Sequence, residues 1–187
     1  LFESIDQGFC VIEVLFDENS KPFDYRFLEV NPAFEKQTEL INAQGKRIRE
    51  LAPNHEEYWF EIYGDVALTG EPKRFENLAA ALKRWYEVYA FRIGHPDERK
   101  VAVLFHDITE RKLTEAALRQ SEQRFRLMAD VVPQQVWITD AQGNTQYVNQ
   151  QWTTYTGLTL EQSQDINSTT QVIHPDDLEN TSQLWRD

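Results

Sequence analysis

The chain has 187 residues, 41% of them hydrophobic and 12% aromatic, enough to bury one medium or two small cores. Thirty-one acidic against nineteen basic residues give a formal net charge of -12, which repels phosphate and argues against nucleic acid or an anionic membrane as partner. The single cysteine, Cys10, excludes an internal disulfide, and no apolar run approaches the roughly 18 residues of a membrane span, so a cytoplasmic location is expected.

In chain order, LFESIDQGF suggests a short amphipathic helix closed by Gly8 as a left-handed cap. Cys10 to Phe16 is dense in β-branched and apolar residues and predicts a strand; DENSKP turns the chain into a second strand, Tyr25 to Val30. Asn31-Pro32 then has the order of a helix cap followed by a first-turn proline, leading into AFEKQTEL. From His55 to Thr69, Trp59, Ile62, Tyr63 and Val66 make one helical face, ended by Gly70. Three extended runs follow, Lys73 to Leu82, Arg84 to Ile93 and Arg99 to His106, the last two joined by GHPDE. The strand WYEVYAFRI is apolar on both parities from Val88 onward, which leaves its inward face open. Two strands, several helices and three strands predict an α+β domain, a five-stranded antiparallel sheet with its helices on one face.

The apolar run Val101 to Phe105 stops at His106-Asp107, and Asp107 with Glu110 has capping-box spacing, so a strand should feed directly into a helix reaching Val132. Within it Leu118, Ser121, Phe125, Met128 and Val132 step by three and four, the seam of a coiled coil. That face either meets a second copy of the chain or packs on its own domain. A helix of ~20 residues spans ~30 Å, a suitable connector.

Beyond it the pattern repeats. Val30, Asn31, Phe34, Thr38 and Leu40 recur 118 residues later as Val148, Asn149, Trp152, Thr156 and Leu158, and the strand and turn at Asp17 recur, with a gap, at Asp140. The expected division is therefore 1–109 for a first domain, 110–130 for the connector and 131–187 for a second copy. That copy stops after IHPDDLENTSQLW without its last three strands, and is expected to be partly disordered or to borrow contacts. A chain that starts at Leu1 and holds its only methionine at Met128 reads as part of a longer protein.

Four features, Val30-Asn31 with Phe34, Val148-Asn149 with Trp152, Ile173-His174-Pro175-Asp176-Asp177, and Asp107-Ile108-Thr109-Glu110-Arg111-Lys112, resemble a tandem of PAS domains, the sensory modules of bacterial signalling proteins. The resemblance implies the sheet and helices above, homodimerisation, and a place upstream of a histidine kinase or a cyclic-dinucleotide enzyme in the same chain. It also implies that Asp107, Thr109 and Glu110 couple the domain to the connector, with the Asp107 carboxylate and the Thr109 hydroxyl competing for free amides at the helix start; the alternative is that they simply cap the helix.

Chemistry is sparse. No G-x-x-x-x-G-K-[ST] loop is present, and His55, His95, His106 and His174 are scattered, so neither phosphotransfer nor a metal site is expected of this chain. None of the four lies in the connector as a phospho-acceptor. Flavin photochemistry lacks its cysteine, since GKRIREL has none and Cys10 sits in a strand. Haem through His55 is disfavoured by its neighbours Asn54 and Glu56, which suggest an exposed histidine. No cofactor is predicted; a small organic ligand stays open, with Arg47, Trp59, Tyr63 and Tyr86 as pocket candidates. The alternatives to a ligand-responsive regulatory module are a haem or flavin redox or gas sensor and a ligand-free dimerisation module.

Overall fold

The structure, a computed structural model, describes residues 6–165, 170 and 172–177. Its elements fall in two compact units, Leu1–Glu115 and Ala116–Asp187.

In the first unit β1 (Gly8–Phe16) and β2 (Pro22–Val30) form a hairpin, and β3 (Lys73–Ala79), β4 (Arg84–Ile93) and β5 (Lys100–Asp107) a meander. β5 returns antiparallel beside β1, giving one sheet in the order β2-β1-β5-β4-β3. Period-two alternation sends Cys10, Ile12, Val14, Tyr25, Phe27, Tyr86, Val88, Ala90, Val101, Val103 and Phe105 into one core. Register against β5 thus decides the face left open by WYEVYAFRI: Val88 pairs with Phe105 and Ala90 with Val103, and all four are buried.

Three helices, α1 (Pro32–Thr38), α2 (Ile48–Leu51) and α3 (Glu57–Thr69), close the core through Phe34, Ile48, Trp59, Phe60, Tyr63 and Val66. α3 ends at Gly70, whose φ of +79° is the left-handed cap expected of it. Gly8 behaves differently. It opens β1, and a Cβ there would stand 2.4 Å from the Phe105 ring, so the position needs a missing side chain for a close approach and not for a helix cap. Asp6 and Gln7 are not helical and Phe9 already belongs to β1, so the described part of the expected opening helix does not form; 1–5 lies outside the described residues. β3 also stops three residues early, because the Ala81 N–H leaves the ladder for Glu56 Oε1 (2.9 Å) and 80–82 becomes a 3-10 turn.

Asn31 is 1% exposed and joins β1, β2 and α1. Its Oδ1 accepts from Phe34 N–H and Phe9 N–H (both 2.9 Å), and its Nδ2 donates to Gln7 O (3.0 Å).

After β5 the chain runs through α4 (Thr109–Val131) into the second unit, whose described part holds β6 (Trp137–Thr139) paired with β7 (Thr145–Val148), then α5 (Gln150–Thr156) and α6 (Leu160–Ser163). Its local devices repeat those of the first. Asn149 Oδ1 accepts from Trp152 N–H and Val136 N–H while Nδ2 donates to Ala129 O and Gln134 O. Thr156 bonds back to Trp152 O and caps Leu158 N–H, as Thr38 does with Phe34 O and Leu40 N–H. The Asp140 carboxylate gathers the Gln142 and Asn144 amides, as Asp17 gathers those of Asn19 and Lys21. Of the expected helix IHPDDLENTSQLW, Ile173 and His174 are not helical, Pro175–Asp177 is a 3-10 turn, and 178–185 lies outside the described residues.

Replacing Asn31 by Ala strands two amides and a carbonyl, and should cost about 2 kcal/mol in urea unfolding, whereas Asp should retain the two accepted bonds and lose less.

Candidate functional site

Between the inner face of the sheet and α1 to α3 lies a cavity of about 50 Å³. Its wall includes Ile12, Phe34, Val88, Val103 and Cys10, with Trp59, Tyr63 and Tyr86 among them. This is room for a molecule of a few heavy atoms and well below the roughly 300 Å³ of a drug-sized site. Cys10 is buried, and desolvation pushes its thiol far above the ordinary range, so it is inert as a nucleophile. Arg47 is not part of the wall. It is the cap residue of α2, and its backbone bridges to Arg26 at the β2 edge.

His55 also lines the cavity. This residue is 5% exposed, which overturns the expectation of an exposed histidine: the turn before α3 lays its ring on Trp59 (5.7 Å, 15° between planes) and against Tyr25 and Phe60. Nε2 meets the Tyr25 hydroxyl at 3.1 Å. Nδ1 is buried with no hydrogen-bond partner, and so is Glu56 Oε2, 3.8 Å from it. Trp59 Nε1 is buried too; it acts electrostatically on the Tyr58 hydroxyl but meets no partner in hydrogen-bond geometry. Burial lowers the His55 pKa from 6.5 to about 4, with Glu56 opposing and Arg49 adding to the shift.

A second cluster stands where β5 becomes α4. Asp107 Oδ1 accepts from Thr109 N–H (2.9 Å) and Thr109 Oγ1 (2.5 Å), its Oδ2 accepts from Arg84 (2.6 Å), and Thr109 Oγ1 accepts from Trp85 N–H (2.9 Å). Carboxylate and hydroxyl therefore cooperate instead of competing. Burial alone would raise the Asp107 carboxyl, but the bonds from Thr109 and Arg84 outweigh it and hold it below its ordinary value. The capping box with Glu110 does not form, because the Asp107 N–H it would use donates to Gln37 Oε1 (2.8 Å). Gln37 is a junction of its own: its carbonyl accepts the Tyr86 hydroxyl (3.0 Å) and its Nε2 donates to Asp6 O (2.7 Å). One turn into α4, Arg111 and Lys112 both pair with Glu76 on β3 (2.6 and 2.7 Å), and Lys112 lies over the Trp85 ring.

A sequence-family model described as PAS domain matches residues 1–71 and again 123–187. The chain belongs to the PAS domain family. Among curated relatives, an uncharacterized protein, y4lL, of Sinorhizobium fredii is 33% identical over 114 residues, 58% of this chain and 14% of that protein. Hybrid signal transduction histidine kinase H of Dictyostelium discoideum is 37% identical over 49 residues, 26% of this chain and 4% of that one. The chain thus spans a small fraction of the curated relatives it matches. Among solved structures, the PAS domain of an HTR-like protein from Haloarcula marismortui is 18% identical, covers 58% of this chain and 91% of that chain, and has a TM-score of 0.41.

In this PAS protein the expected seam residues Leu118, Ser121 and Met128 are exposed on α4, so that face is not packed on its own unit. Phe125 is half engaged, its ring 5.3 Å from Tyr147. Val132 follows the last helical residue, Val131, and is not on α4. Among the described residues no helix is long and apolar enough to cross a membrane.

The PAS core should be acid-sensitive through His55. The folded chain keeps this ring neutral down to about pH 4 while the unfolded chain protonates near 6.5, so the unfolded state binds the extra proton in between. Its contribution is complete above pH 6.5 and declines as pH falls toward 4. In urea titrations the stability difference between the natural chain and a His55→Gln variant should shrink by about 3 kcal/mol over that window.

Proposed function

We propose that this chain is a tandem PAS module of a multidomain sensor protein, a two-component sensor histidine kinase by type, that passes a conformational signal from its first domain into α4 of a homodimer. The observation that carries this reading is the strand-to-helix junction. The last strand of a domain built around a cavity enters a 23-residue helix through one carboxylate, which Arg84 of β4 holds, and Trp85 and Glu76 hold the first turns of that helix to β4 and β3. A displacement of these strands would thereby change the bonds that start α4, and a coupling of about 1 to 3 kcal/mol is enough for such a switch.

Recurrence of the family match and of the Asn, Thr and Asp devices supports the tandem arrangement. The similarity to a hybrid histidine kinase supports a kinase as the downstream partner in the same chain, with a cyclic-dinucleotide enzyme as the other output of the family. On this reading the chain itself performs no catalysis and works in the cytoplasm without nucleic acid or membrane contact. The small cavity favours a compact organic ligand, or none, over haem or flavin.

Dimerisation through α4 predicts that Ser121→Leu, which adds an apolar group at the seam, tightens self-association by about tenfold in sedimentation equilibrium; an unchanged dissociation constant would remove the seam from the mechanism. Coupling predicts that Asp107→Asn, which removes a charged acceptor from Thr109 and Arg84, speeds amide exchange in the first two turns of α4 by about tenfold or more while the β1 and β5 amides stay protected.

A further inference from the structure

Tyr86 of β4 belongs to the cavity wall, and its hydroxyl donates to the carbonyl of Gln37 on α1 (3.0 Å). The Gln37 side chain in turn accepts the Asp107 N–H on Oε1 (2.8 Å), at the residue whose carboxylate holds Thr109 at the start of α4. The partners fix every polarity. A main-chain carbonyl can only accept from Tyr86, a main-chain amide can only donate to Oε1, and Nε2 is left to donate to Asp6 O (2.7 Å). Gln37 sits on a helix whose Phe34 and Thr38 also line the cavity, and Tyr86 rests edge-on against Phe105 of β5 (5.3 Å, 83° between planes). The end of α1 reaches Asp107 a second time, because Arg84 bonds both Glu39 and the Asp107 carboxylate, but Glu39 is largely exposed and that pair is the weaker tie. Tyr86 also stands directly beside Asp107 in the sheet register. Two routes therefore run from the cavity wall to the junction, one along the ladder and one through Gln37.

We propose that Gln37 is the positioning residue through which the state of the cavity reaches α4. Tyr86 sets where the Gln37 carbonyl lies, and the Gln37 carboxamide, through the Asp107 N–H, sets whether the Asp107 carboxylate is placed to hold Thr109. β4 and β5 are each paired on both sides, whereas α1 is seven residues long and is tied to the sheet by side chains, so α1 is the more easily displaced of the two. A change in the cavity that shifts α1 or turns the Tyr86 ring then alters the bond that one glutamine makes at the junction. The inference deepens the sensory reading and rests on it for the purpose of the device, though the coupling is measurable without any ligand.

The test is a double-mutant cycle on the whole 187-residue chain, read by amide hydrogen exchange. Tyr86→Phe removes the hydroxyl and keeps the ring; Gln37→Leu removes the carboxamide and keeps helix propensity. Tyr86→Phe should speed exchange in the first turn of α4 by about fivefold while β1 keeps its protection, and in the Gln37→Leu chain the same change should add nothing. Tyr25→Phe is the control. It takes another hydroxyl, the one bonded to His55, from the wall of the same cavity, so a merely structural loss would move both variants alike; it should leave the first turn of α4 unchanged. Three outcomes would each overturn the proposal: additive effects of Tyr86→Phe and Gln37→Leu, which would place the route in the ladder; equal loosening of α4 by Tyr25→Phe; or protection lost to the same extent in β1. Asp107→Asn tests the relay by itself. If that variant loosens α4 while the cycle is additive, the sensory reading stands and the Gln37 route falls.

Discussion

One carboxamide holds three elements of the first unit together. Asn31 must accept two amide hydrogens and donate one of its own within a space closed to water, and only a side chain with both functions does this. By capping α1 while clamping the start of β1, it fixes where α1 meets the sheet, and so where Phe34 stands beside the cavity. Asn149 does the same work for α5 and the segment before β6. Aspartate would lose the donor, and leucine would leave three orphaned groups.

From that fixed frame the interior follows as an aromatic cluster with a flaw left in it. Tyr25 packs edge-on against Phe27 and Tyr63, and His55 fits between Trp59 and Phe60. These contacts hold a histidine ring where its charged form is strongly disfavoured. The Asp107 cluster has the opposite character: it is half-buried, ionised and saturated with donors, a stable charged node at the point where sheet becomes helix.

Strand positions, the Asn31 cap and the end of α3 were legible because each depends on nearby residues: alternation, Asn-Pro, and a glycine after an amphipathic run. The repeat was legible for the same reason, its marks being a cap and a turn. Contacts across long sequence separations were not. Nothing near His55 announces Tyr25, thirty residues away, although the spacing of His55 and Trp59, four apart, could have placed both on one face. Arg84, Glu76 and Gln37 were missed as partners of the junction because the sheet register, which brings Tyr86 opposite Asp107, is a product of the whole fold. Gly8 was misread since a glycine before a strand looks the same whether it caps a helix or makes room for a ring.

Gln37 shows what such long-range convergence implies for sequence change. On a short helix facing solvent, glutamate is ordinarily an innocuous neighbour of glutamine in size and helix propensity. Here its carboxylate would keep the acceptor for the Asp107 amide, lose the donor to Asp6, and bring a second negative charge toward the Asp107 carboxylate. A position that looks like replaceable surface is thus constrained in both hydrogen-bond polarity and charge, and the tolerance of this fold to mutation is narrower along α1 than its exposure suggests.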